Sequence, residues 1–292
     1  MPRASIRVWI TDLPIYEQSY RRYQAREPLK DIRFWPIARE ALRSILAKRA
    51  FLILLVVAWL PFLFRVGQLV AVRQFPQFQL MMPVDAKLFG EFLNGQVVFT
   101  LLLSVFGGAG LVANDLRSGA ILVYLSRPLT RRDYVLGKLT VLLALNLSAT
   151  LAPGLLLYAA ALALAPETFA TWALVWIAPA ILAQSLLVSV GTGLFVLAIS
   201  AISRSARVAG LTFVLLWVGL GVAGTLLGQV LNAPLAELVS LGGDLRLVGS
   251  ALFGVEVRDA VHWSWAVVTL AAASAACLLV LRARVRAVEV VA

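Results

Sequence analysis

The sequence predicts an all-α integral membrane protein: six transmembrane helices preceded by an amphipathic interfacial helix, with both termini in the cytoplasm. Three observations carry this prediction. Of 292 residues, 61% are hydrophobic and 14% charged, too little polar surface for a soluble domain of this size. The apolar runs are continuous for about 20 residues each, as helical spans require, and the strand-like alternation of an outer-membrane barrel is absent. Finally, the basic residues are strongly biased to one side. Segments 1–49, 114–138, 203–207 and 282–292 carry 21 of the 26 Lys/Arg, against Arg65, Arg73, Lys87, Arg246 and Arg258 on the other side. The positive-inside rule therefore places both termini and segment 114–138 in the cytoplasm. It also assigns the net charge of +11 to the membrane leaflet rather than to nucleic acid.

Residues 1–32 read as a polar cytoplasmic arm without assignable chemistry. The first 49 residues hold no short apolar core with a cleavage site, so the first span is expected to direct insertion. Residues 33–49 have helical amphipathicity, with Phe34, Ile37, Ala38, Ala41, Leu42, Ile45 and Leu46 on one stripe and Arg39, Glu40, Arg43 and Lys48 elsewhere. Such a helix is expected in the interface with Trp35 near the headgroups; the alternative is a soluble packing helix. The transmembrane domain then occupies 50–292, with spans at about 50–72, 95–113, 135–165, 172–202, 208–227 and 263–281. Spans three and four are longer than a bilayer needs, and Pro153 and Pro179 are the expected kink points. Segment 228–262 is interrupted by Asn232, Pro234, Gly242, Gly243, Asp244 and Arg246. It reads either as two short helices dipping into the outer leaflet or as a plain loop.

Catalytic side chains are scarce. His262 is the one histidine and Cys277 the one cysteine, so neither a clustered metal site nor an intrachain disulfide is expected. Gly137-Lys138 does not complete a phosphate-binding loop, because Arg132 stands where a glycine is needed and Leu139 where Ser or Thr would hold magnesium. Among charges inside the spans Arg65 stands alone, within snorkelling reach of the outer interface. Asn146, Ser148, Gln184, Ser185, Ser189 and Thr192 read as interhelical hydrogen-bonding groups. Two glycine sets, Gly107, Gly108 and Gly110 in span two and Gly221, Gly224 and Gly228 in span five, permit close helix approach. They suit a dimer seam or mobile pathway helix, and equally packing within the chain.

Segment 114–138, NDLRSGAILVYLSRPLTRRDYVLGK, is a polar island between two apolar runs. Residues 114–125 are expected to form a short helix with Leu116, Ala120, Val123 and Tyr124 on an apolar side. Pro128 ends it by disfavouring helical backbone at Arg127. Thr130 and Asp133 make a capping arrangement for the next helix. Arg131 and Arg132 then lie in that helix's first turn, where the macrodipole disfavours cations. An ordinary basic loop and a docking element both fit these residues.

The run ANDLRSGAILVYLSRPLTRRDYVLGKL (113–139) resembles the segment joining spans two and three in type-2 exporter permeases of ATP-binding-cassette transporters. Asp115, Gly119, Ser126-Arg127-Pro128, Thr130-Arg131, Tyr134 and Gly137-Lys138 carry the match; Asp115 stands where the family often has Glu. The resemblance implies a type-2 ABC exporter permease-like fold in a bacterial cytoplasmic (inner) membrane. It further implies pairing with a second permease copy, identical or not, and with cytoplasmic ATPase subunits that bind the ATP and magnesium. Segment 114–133 would be the coupling helix. Asp115, Arg117, Gly119, Tyr124, Arg127, Pro128, Arg131, Arg132, Asp133, Gly137 and Lys138 are its expected coupling residues, and the two glycine sets the expected dimer or pathway packing residues. Without ionisable groups deep in the spans, amphiphilic or lipid-linked cargo is the class preferred, with drugs, peptides and factors handed to periplasmic partners as the alternatives. A non-transporting scaffold anchored through residues 1–49 is the alternative.

Overall fold

The structure, a computed structural model, describes residues 34–75, 77, 83–120, 130–164, 175–231, 234–255 and 261–285. The arm 1–32 and the expected coupling residues Tyr124, Arg127 and Pro128 lie outside these residues. Every regular element among them is helical. In chain order these are α1 (Trp35–Leu46), α2 (Arg49–Ala58), α3 (Leu60–Gln74), α4 (Ala86–Ser118), α5 (Arg131–Ala149), α6 (Leu151–Leu164), α7 (Ile177–Ile202) and α8 (Ala206–Leu231). A 3-10 helix (Pro234–Val239), α9 (Leu241–Leu252) and α10 (Trp263–Arg284) complete the order. Six candidate spans result, with α2–α3 and α5–α6 each forming one.

The second and fourth spans form the centre. More than half of each is buried, against less than a quarter of α2–α3, α8 and α10. Their shared seam is polar. The Ser200 hydroxyl donates to the Ala109 carbonyl (2.7 Å) and accepts from the Val112 and Ala113 amides (3.2 and 2.9 Å). Asn146 of α5 donates to Ser104 and Thr192 (3.0 and 3.1 Å), and Gln184 donates to Asn94 (2.9 Å). Pairs 94/184, 104/192 and 109/200 rise together, so α4 and α7 run parallel. Away from water each such bond replaces an otherwise unpaired polar group, which fixes the register of the two helices. Of the polar span residues, Asn146, Gln184 and Thr192 therefore do serve interhelical contact. Ser148 instead donates to the Leu145 carbonyl of its own helix, and the buried Ser185 and Ser189 hydroxyls have no hydrogen-bond partner among the described residues.

Proline has effects that differ from expectation. The third span breaks at Thr150, between α5 and α6, three residues before Pro153. Pro179 causes no kink, because α7 starts at Ile177 and its first turn needs no amide donor at that position. The unforeseen break lies in the first span, at Trp59, two residues before Pro61. There the Phe62 amide turns to the Trp59 carbonyl (3.1 Å) instead of Ala58. The fully buried Gln96 of α4 supplies the missing donor, 3.1 Å from the Ala58 carbonyl. That bond pins the first span to the second at its break.

Two boundaries also shift. The helix containing span two begins at Ala86, capped by Asp85, whose carboxylate accepts from the Leu88 amide (3.2 Å). It continues without interruption through Ser118, so residues 114–118 of the expected helix over 114–125 belong to α4, while 121–125 lie outside the described residues. Gly119 stops α4 with φ +69°, a conformation that costs a residue with a Cβ. The apolar stripe of α1 packs on protein, burying Ile37, Ala38 and Ile45, while Trp35 stays exposed. Gly137 makes the approach possible: a Cβ there would lie 3.1 Å from the Phe34 carbonyl and 3.3 Å from Ile37. One face of α1 is thus turned to its own bundle, with Arg39, Glu40 and Arg43 exposed on the rest.

Candidate functional site

The island's described ends meet at one end of the bundle. Thr130 caps α5: its hydroxyl accepts from the Asp133 amide (3.2 Å), and the Asp133 carboxylate accepts from the Thr130 amide (2.9 Å). This reciprocal cap starts α5 at Arg131, so Arg131 and Arg132 stand exposed in its first turn. Local helix electrostatics disfavours both, and no ion pair among the described residues offsets them. Arg117, in the last turn of α4, is exposed as well.

One helical turn further, the two helices are locked together. Asp115 Oδ2 lies 2.7 Å from Lys138 Nζ and accepts the Tyr134 hydroxyl at 2.8 Å. The Lys138 side chain is 5% exposed and its ammonium sits 5.4 Å from the Tyr134 ring centroid. Lys138 is thus paired by a carboxylate and an aromatic face in a site almost closed to water. Three of the expected coupling residues, Asp115, Gly137 and Lys138, therefore face inward. Asp115 and Lys138 tie α4 to α5, and Gly137 seats α1. Arg117, Arg131 and Arg132 face outward, while Gly119 and Asp133 set the ends of the helices that carry them. Tyr134, recognised only as part of the island pattern, is the side chain that completes the lock.

A cavity of about 720 Å³ opens beside this lock, between α1, α4 and α8. Val105 and Phe106 of α4 and Leu211 and Val214 of α8 give it an apolar wall, with Lys48 and Arg207 among its polar lining. Sequence patterning offered no signal for it, since its walls come from three separated helices.

The glycines occupy different positions from one another. Gly107 and Gly110 touch the cavity, but a Cβ at the buried Gly107 would fall 2.9 Å from Leu145, and Gly108 is likewise wedged inside the bundle, where a Cβ would fall 2.8 Å from Val196 and 2.9 Å from Leu142. Gly224 and Gly228 receive the 3-10 helix of the same chain: a Cβ would lie 3.3 Å from the Glu237 carbonyl at Gly224, and 3.0 Å from the Glu237 side chain at Gly228. Gly221 faces Ser240, 3.7 Å away on the same measure. Packing within the chain, one of the two uses their spacing allowed, is what this face of α8 does.

At the other end of the bundle Asp244 of α9 is 1% exposed and accepts the Thr269 hydroxyl at 2.6 Å. Burial pushes its carboxyl up to about 6. The sequence marked Asp244 only as an interruption of an apolar segment.

Residues 35–264 match a sequence model described as ABC-2 family transporter protein. No curated protein matched the chain.

Proposed function

The chain belongs to the ABC-2 transporter family and is a multi-pass membrane permease component; from that premise we propose that it forms half of an export pathway driven by separate ATPase subunits. The observation that carries the coupling is the locked end of α4 and α5. Asp115, Lys138 and Tyr134 join the two helices on either side of segment 114–133, and Gly137 joins α1 to the same block. A force on the segment is then delivered to spans two and three together. Arg117, Arg131 and Arg132 stand outside the lock, where they meet an acidic cleft on the ATPase.

In this reading the island end is cytoplasmic in a bacterial inner membrane. ATP and magnesium are bound by the partner, and a second permease copy completes the pathway. The cavity beside α4 and α8 belongs to the face from which amphiphilic material enters. The distribution of Lys/Arg supports the orientation. Intrachain packing of Gly224 and Gly228 moves the seam with the second copy to the exposed apolar positions of α8 outside the cavity lining, such as Leu215, Val218 and Val222.

Co-purification of the Arg131→Glu/Arg132→Glu variant with its ATPase tests the docking. The expected result is a monodisperse permease that has lost the ATPase. Full retention of the ATPase with full transport-linked hydrolysis would remove segment 114–133 from the interface.

A further inference from the structure

The cavity between α1, α4 and α8 combines two kinds of lining. Val105, Phe106, Leu211 and Val214 are hydrocarbon walls on two membrane-spanning helices. Lys48, at the joint of α1 and α2, and Arg207, in the first turn of α8, add two cations. Both cations are exposed, and neither forms an ion pair among the described residues. The other charges of the lining are Glu40, Asp115 and Lys138, and the last two neutralise each other at 2.7 Å. Glu40 forms no ion pair with either cation among the described residues.

We propose that this groove is a binding site for an anionic phospholipid: the phosphate headgroup between Lys48 and Arg207, the first part of an acyl chain against Phe106, Leu211 and Val214. The volume, about 720 Å³, is that of a site for a small amphiphile rather than for another helix. A second copy of the chain docking here through a two-fold axis would bring two identical cation pairs together, which charge complementarity disfavours. An anionic headgroup meets the opposite condition. Each surface cation contributes enough attraction to an anionic lipid that two give about tenfold preference or more over a zwitterionic one, and added salt reduces it. Occupancy would bridge α1 to α8 across α4, beside the Asp115–Lys138 lock.

The test is a titration of the purified full chain in detergent with fluorescently tagged phosphatidylglycerol and phosphatidylcholine. Wild type is expected to bind phosphatidylglycerol about tenfold more tightly. Lys48→Gln/Arg207→Gln removes that gap and leaves phosphatidylcholine unchanged, while Lys48→Arg/Arg207→Lys retains it. Arg39→Gln/Arg43→Gln, which removes two exposed cations of α1 outside the groove lining, also retains it. Leu211→Trp fills the groove from an exposed position and weakens binding of both lipids. Equal affinities for the two lipids in wild type would overturn the proposal, as would loss of the gap in Arg39→Gln/Arg43→Gln or its survival in Lys48→Gln/Arg207→Gln.

Discussion

Breaking the Asp115–Lys138 lock from either side should have unequal consequences. Asp115→Asn leaves the Lys138 ammonium with a side chain only 5% exposed and no counter-charge at 2.7 Å. Removing one partner of a buried pair costs about 3–5 kcal/mol, and the Tyr134 ring retains part of the attraction, so about 3 kcal/mol is expected. Lys138→Met leaves Asp115, whose side chain is 18% exposed and keeps the Tyr134 hydroxyl at 2.8 Å; about 1–2 kcal/mol follows. The double variant leaves no uncompensated charge, so it should be more stable than Asp115→Asn alone. The single cysteine, Cys277, is buried and provides the assay: a thiol-reactive dye reports its exposure on heating. A double variant whose loss equals the sum of the two singles would show no coupling, and the lock would not be the mechanical link inferred here.

Two further outcomes follow from burial and packing. Asp244 has a folded-state value of about 6 against 3.8 in the unfolded chain, so the fold favours its neutral form. Its contribution is complete below about pH 4 and is lost as pH rises through 6, about 3 kcal/mol in all. Thermal stability should fall between about pH 4 and 6 in wild type and stay level in Asp244→Asn; a parallel fall in the variant would place the titrating group elsewhere. Gly108→Ala drives a Cβ to within 2.8 Å of Val196 and should cost about 1–3 kcal/mol. Gly67→Ala in α3, where a Cβ meets nothing within 4 Å, should instead gain about 1 kcal/mol of helix propensity in the same melting assay.

Much of the architecture was legible because its causes are local. Six apolar runs of bilayer length specify six helices without reference to one another. The Thr130–Asp133 cap depends on residues three apart, and its expected start for α5 coincides with the observed one. Proline positions were legible but their effects were not. Pro179 falls in a first turn, where amide donors have no intrahelical acceptor in any case, and Pro61 breaks a span whose released carbonyl finds Gln96 on another helix. The GxxxG spacing of α8 identified a close contact and left its partner open between a second chain and the 3-10 helix that follows.

Hydropathy, cap residues and Lys/Arg placement thus determined that this chain is a six-span helical membrane protein with an island between spans two and three. All of these act within a helical turn or between a segment and its solvent. The tertiary structure decided which island residues point outward and which lock inward. Asp115 meets Tyr134 and Lys138 from about twenty residues away, and the cavity's walls come from α1, α4 and α8. Such contacts depend on the angle and register at which helices pack, and that is set by seams such as Ser200 against Ala109 and Val112 rather than by either helix alone.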